Sequence, residues 1–369
     1  MTGFSQALET QKAHEIGADD FLAKPFNESD LLEIIKKHFE DVKAPVAEAI
    51  DLDKEYCKIS LEDFISEKEV EYSIFIRIKN AKYIRIAHQG GKISEDRIRA
   101  FKAKGLHHVY IRREDFSRLV GFNLKIAKIL QASSKLGHEK KMHFMSYTAD
   151  LILEGAFVKG VDQESFQNAN EFIKTSMEVL ADDVASFSIL NVLSTHADHI
   201  YAHSLGVSTF CVMIAKEMGW TSAPVLFKLA QGGLFHDVGK KEIDREILEK
   251  PRALLTQSER AAIETHTLRG REILESIKGI STEVIQMSYQ HHEDEMGRGY
   301  PRRITKKEIH PFAKICRVAN VFCEYAIKSH PHIEPVSPEA ALRKMILYDS
   351  DSFDKDVFAA LKRLFKFNS

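Results

Sequence analysis

The sequence has no apolar run of roughly 18 residues, no basic-then-apolar leader and little cysteine. Each absence removes a class of protein. No transmembrane helix and no export signal are predicted, so the expectation is a soluble, cytoplasmic chain with no membrane partner. The four cysteines, Cys57, Cys211, Cys316 and Cys323, include no CxxC pair. That argues against a zinc ribbon or disulfide scaffold and for reduced, buried thiols. Charge of one sign is missing too: 52 Lys and Arg stand against 54 Asp and Glu, so no basic field points to nucleic acid as a partner. Internal repeats and low-complexity tracts are also lacking.

What is present exceeds one ordinary core. A chain of 369 residues, 44% of them apolar, predicts two or three domains. Residues 1–40 read as helix, short strand and helix, with Phe21-Leu22-Ala23 cut by Lys24-Pro25 and followed by Leu31, Leu32, Ile34, Ile35 and Phe39. Residues 41–50 read as a linker. From 51 to 116 the period changes to two. Tyr72, Ile74, Ile76 and Ile78 alternate with Ser73, Phe75 and Arg77, Tyr83 to Ile86 answers them, and residues 107–113 return as a further strand. His107 and His108 would point to opposite faces of that strand, which makes them poor joint ligands. From 117 to 369 the pattern is helical. The fold class expected is therefore mainly α, an all-helical C-terminal bundle preceded by a small α/β domain.

The chemistry concentrates between His196 and Asn320. His236 and Asp237 are adjacent after an apolar helix carrying Val225, Leu226, Leu229, Leu234 and Phe235, and Gly239 beyond them suits a helix ending there. His203 lies upstream, on one helical face with His196 and His199. His266, the pair His291-His292, and Asn320 on an apolar helix lie downstream. Imidazoles and a carboxylate suit borderline divalent metals, and a carboxylate has one oxygen for each of two ions. Two such ions acidify water and polarise a phosphate. Any single histidine is more often packed or exposed than a ligand; the ordered set is what carries the argument.

This order, with Gly299-Tyr300-Pro301 following the histidine pair, resembles the HD-GYP branch of the HD superfamily over roughly 190–345. The resemblance implies a helical metal core at 190–330 and bacterial second-messenger signalling by hydrolysis of a cyclic dinucleotide, cyclic di-GMP by family default. It implies two divalent ions, iron or manganese, held by His203, His236, Asp237, His266, His291, His292 and Asn320. Lys240, with Asp237, is the catalytic candidate, and Arg298, Gly299, Tyr300 and Pro301 are the substrate-binding candidates. Three-metal members carry an acidic ligand where His199 stands, which makes His199 a candidate for a third ion. The "GADDFLAKPF" stretch resembles the last strand of a receiver domain. Without the earlier strands and their acidic pocket, the expectation is that it accepts no phosphate.

The chain departs from the pattern at three places. Asn320 stands for an aspartate, and Met296 for the aspartate that opens the Gly-Tyr-Pro loop. No Arg or Lys occurs from 329 to 342, where the family has a phosphate clamp. Arg298, Arg302 and Arg303 offer replacement cations, against the plainer reading of exposed loop residues. Two further functions stay open on these grounds. One is a non-catalytic, metal-holding signalling module that binds other signalling proteins or a second copy of itself as a homodimer. The other is a nucleotide phosphohydrolase of the wider HD superfamily, which explains the His-Asp pair but not the Gly-Tyr-Pro loop.

Overall fold

The computed structural model describes residues 55–61, 69–78, 82–132, parts of 141–155, 162–179, 199–327, 330 and 332–367. The receiver-like stretch, the linker, His196 and the side chain of His199 lie outside the described residues.

The period-two segment folds as a four-stranded antiparallel sheet. Its strands are β1 (Tyr56–Ser60), β2 (Ile74–Ile78), β3 (Lys82–Ala87) and β4 (His108–Arg112), in the order β1-β4-β2-β3. Helix α1 (Glu95–Ala103) joins β3 to β4. Ser94 caps it, its hydroxyl accepting from the Arg97 amide, and Glu95 and Asp96 complement the positive end of the helix dipole. Cys57, Ile59, Ile74, Val109 and Ile111 form the buried face. The alternation predicts Phe75 on the outer face, yet it is only 7% exposed. Tyr56 meets it edge-on at 5.1 Å and the Arg112 guanidinium lies 6.0 Å from its ring centroid. Aromatic neighbours from other strands bury what a single strand's pattern leaves open.

Two helices carry the packing from this sheet to the histidine-bearing bundle. Helix α2 (Phe116–Ala132) sets Phe122 edge-on to Tyr72 at 6.3 Å and pairs Lys125 with Glu71 at 2.8 Å. It also pairs Lys128 with Glu171 of α3 (Gln163–Val179). Helix α3 in turn places Phe166 at 6.2 Å from Phe235, the last residue of α5 (Ala223–Phe235). His236 and Asp237 follow directly.

The core bundle is built round α4 (His199–Glu217), which packs against α5, α10 (Pro311–Ala326) and α12 (Lys355–Leu364). Between α5 and α10 come α6 (Arg245–Glu249), α7 (Gln257–Glu264), α8 (His266–Glu275) and α9 (Thr282–Gln290), and α11 (Pro338–Asp349) lies between α10 and α12. Phe210, Phe322 and Phe365 meet at centroid distances of 4.8–6.0 Å and join α4, α10 and the end of α12. Burying each such ring contributes roughly 1.5–3 kcal/mol. Ser208 donates to the Ala230 carbonyl at 2.7 Å and fixes α4 against α5. Pro224, Pro311 and Pro338 sit in first turns, where the missing N–H costs nothing. All four cysteines are free and buried, and no described helix is long and apolar enough to cross a membrane. Tyr56–Ser369 forms one compact unit.

Candidate metal centre

Five elements converge on Asp237. Helix α5 ends at Phe235; His236 keeps helical angles, and Asp237 turns to φ −98°, ψ 8° before the 3-10 turn Val238–Glu242. That break lets two adjacent side chains point inward together. Helix α4 supplies His203, the first residue of α8 is His266, and His291-His292 close α9. Gly239 has no left-handed angle, so it is not the helix cap that its position suggests. It is a contact point. A Cβ there would lie 2.0 Å from the His266 carbonyl oxygen and 2.6 Å from the Gly270 nitrogen, so only glycine lets the 3-10 turn meet α8.

The side chains form two groups that share Asp237. Asp237, His266, His291 and His292 make one; His203, His236 and Asp237 make the other. Asp237 Oδ1 faces His266 Nε2 at 3.3 Å and His291 Nε2 at 3.6 Å. Oδ2 faces His236 Nε2 at 3.2 Å and His203 Nε2 at 3.8 Å. Backbone carbonyls orient three of the rings. His236 Nδ1 donates to Gly233 O at 2.7 Å, His266 Nδ1 to Ile263 O at 2.7 Å and His291 Nδ1 to Ser288 O at 2.9 Å. A carbonyl only accepts, so the Nδ1 proton is fixed and Nε2 faces the cluster.

Divalent metal fits this donor set. His266 Nε2 and His291 Nε2 stand 3.2 Å apart with both Nδ1 protons committed elsewhere, so two lone pairs oppose each other. Asp237 Oδ1 is buried without a hydrogen-bond partner, and such an orphan calls for a bound cation. Ligands of one ion at about 2.1 Å would stand roughly 3.0–3.4 Å apart, close to the spacings here.

Electrostatics favour the same conclusion. Burial pushes His203 down to about 4 and His291 to about 3, and it holds His292 well below its ordinary value. These imidazoles are neutral at pH 7. Burial also opposes charge on His236, but the Asp237 carboxylate beside it prevails and raises it to about 9. For Asp237 burial is likewise outweighed, by His236 and then Lys240, which hold it well below the carboxylate range. In the metal-free cluster, the His236 proton and the Lys240 ammonium, 2.5 Å from Asp237 Oδ2, supply the positive charge.

Above the cluster opens a cavity of about 850 Å³. Lys240, Arg298, Gly299 and Tyr300 line it with His203, His292 and Asn320; Pro301 is exposed, beyond a cis Tyr300-Pro301 bond. Tyr300 stacks on His292 at 4.5 Å and 15°. Arg298 is engaged by Asp294 at 3.1 Å and Asp351 at 2.9 Å. Met296 is 58% exposed and bridges to Thr305. Asn320 is buried, its Oδ1 2.8 Å from His203 Nε2. His330 and Ile333, from the segment lacking a clamp, also line the cavity. Its cations come from elsewhere: eight Lys and Arg side chains among the described residues line it, against four carboxylates.

Sequence reasoning missed several of these residues. Glu293 is fully buried and accepts from the Arg302 amide at 2.6 Å and the Ile304 amide at 3.1 Å, which shapes the loop. Arg252, Arg317 and Glu324 line the cavity, and Ser288 donates to the His236 carbonyl at 2.9 Å. The position of Glu293, immediately after the histidine pair, was the one available signal.

A buried His/Asp set on a helical bundle, with a histidine-led helix on either side, agrees with the family comparison: residues 188–357, a little under half of the chain, match the HD-domain family model. It is 28% identical over 185 residues to a cyclic di-GMP phosphodiesterase of Pseudomonas aeruginosa, covering 50% of this chain and 44% of that one. It is 33% identical over 143 residues to the 3'3'-cGAMP-specific phosphodiesterase 1 of Vibrio cholerae, covering 38% and 32%. With a cyclic di-GMP phosphodiesterase of Thermotoga maritima it shares 27% over 246 residues, covering 66% and 63%. The chain thus spans less than two thirds of each of these relatives. A solved structure of an HDG"Y"P protein from Bdellovibrio bacteriovorus shares the fold, with a TM-score of 0.62 at 19% identity, covering 84% of this chain and 99% of that one.

Proposed function

We propose that the chain is a metal-dependent phosphodiesterase that opens a cyclic dinucleotide. The observation that carries this is Asp237, which turns one oxygen to each of two histidine groups beneath a cation-lined cavity. His266, His291 and His292 would hold one divalent ion, His203, His236 and Asn320 the other, with Asp237 shared; iron or manganese suits these donors. Such ions supply Lewis acidity and acidify water to near-neutral pKa. Lys240 lies between Asp237 and the cavity, placed to neutralise a phosphate or to protonate the leaving ribose oxygen. Tyr300, stacked on His292, fixes that ring and keeps bulk water from it. The cavity volume suits a small ligand of several rings, and its excess of cations suits one carrying two phosphates. The relatives named as cyclic di-GMP and 3'3'-cGAMP phosphodiesterases support the substrate class.

Metal-loaded protein should convert cyclic di-GMP or 3'3'-cGAMP to linear product, and chelation should abolish the conversion. Full metal loading with no turnover of either would leave the second reading, a metal-holding module that binds without hydrolysis. One observation favours that alternative. Asn320, a neutral amide where the resemblance expects aspartate, engages His203 Nε2 in the ligand set.

A further inference from the structure

The carboxylate missing at Asn320 reappears one helical turn later. Glu324 follows Asn320 at i+4 on α10, on the same face of the helix. Its Oε1 lies 3.5 Å from Asn320 Nδ2, and its Oε2 accepts from Arg252 Nη2 at 3.1 Å. The Glu324 side chain is 24% exposed and lines the cavity with His203 and Lys240. A continuous run therefore leads from His203 through Asn320 and Glu324 to Arg252.

An asparagine amide has two ends of similar shape and opposite chemistry. The oxygen can ligate a cation; the NH₂ group, a donor, cannot. A carboxylate only accepts, so Glu324 dictates that the nitrogen faces it and the oxygen faces His203. The Glu324 carboxylate also places negative charge near the His203 side of the cluster. Arg252 offsets part of that charge, which leaves orientation as the larger effect.

Resting on the metal-binding reading above, we infer that Glu324 is the positioning residue of the His203–His236–Asp237 ion: it holds the Asn320 oxygen toward the metal in place of the absent aspartate. The alternative is that Glu324 only pairs with Arg252.

The test is Mn²⁺ titration into metal-free full chain, with elemental analysis after gel filtration, on wild type, E324Q, E324L and N320D/E324L. Wild type should hold two ions. E324L, which loses acceptor and charge, should bind the second ion at least tenfold more weakly while the first is unchanged. E324Q keeps an acceptor and should fall several-fold; it decides the matter alone if E324L does not fold. N320D/E324L should regain the second ion, because an aspartate needs no neighbour to orient it. A merely structural role would not be rescued this way. Two ions bound with unchanged affinity by E324Q and E324L would overturn the inference, as would loss of both ions together, absence of rescue, or fewer than two ions in wild type. The readout is metal alone, so a wild type that binds two ions and hydrolyses nothing would refute the phosphodiesterase and leave this result standing.

Discussion

Gly239→Ala is the smallest change that should dismantle the site. The added Cβ would lie 2.0 Å from the His266 carbonyl oxygen, and ordinary contact begins at 3.4 Å, so the 3-10 turn and α8 must part by about 1.4 Å. Both neighbours are backbone, which cannot swing aside as a side chain would. Arg269 also ties α8 to the Glu242 carbonyl at 2.7 Å, so the movement is resisted. Overpacking of this kind typically costs about 1–3 kcal/mol. The functional cost should be larger. The same displacement separates His266 from Asp237, now 3.3 Å apart, while metal–ligand distances tolerate only about ±0.2 Å. Urea denaturation of metal-free G239A should show a lower midpoint with an unchanged m-value, and Mn²⁺ affinity at the His266 group should fall at least tenfold, about 1.4 kcal/mol. Wild-type stability together with wild-type metal affinity would refute the close-approach argument.

Other outcomes follow from the same geometry. With His236 raised to about 9, a metal binding at pH 7 must displace its proton. Mn²⁺ binding should therefore release a proton, and affinity should climb with pH until about 9 and then level off; calorimetry in buffers of different ionisation enthalpy would show it, and no release at pH 7 would contradict it. Lys240→Met should lower turnover by roughly 10²–10⁴ while metal content stays at the wild-type level, since the lysine competes for Asp237 rather than holding the ion; loss of metal in this variant would place Lys240 in the binding set instead. Glu293→Gln should destabilise the protein by about 1–3 kcal/mol, because the buried Ile304 amide and the half-buried Arg302 amide lose their anionic acceptor; an unchanged denaturation midpoint would remove Glu293 from the loop's support.

Much of the candidate site was legible in sequence because His236, Asp237, His266, His291 and His292 sit at helix ends. An apolar helix running into His236-Asp237, and a histidine pair closing α9, can each be placed by period and order alone. Strands β2, β3 and β4 were legible through their period-two runs, whereas β1 was not singled out. Where reasoning fell short, a contact distant in sequence decides the matter. Phe75 is buried by Tyr56 and Arg112 from other strands, Gly239 answers to the His266 backbone, and Arg252 reaches Glu324 across 72 residues. The family pattern points to cations within 329–342, yet Arg252, Arg260, Arg317 and Lys344 line the cavity from other segments. A linear motif search cannot find a charge that the fold brings from elsewhere.

The most direct measurement is anomalous scattering from crystals of the full chain grown with Mn²⁺. Two peaks should flank the Asp237 carboxylate, one among His266, His291 and His292 and one between His203 and His236. A single peak, or peaks remote from Asp237, would contradict a two-ion centre built on that carboxylate.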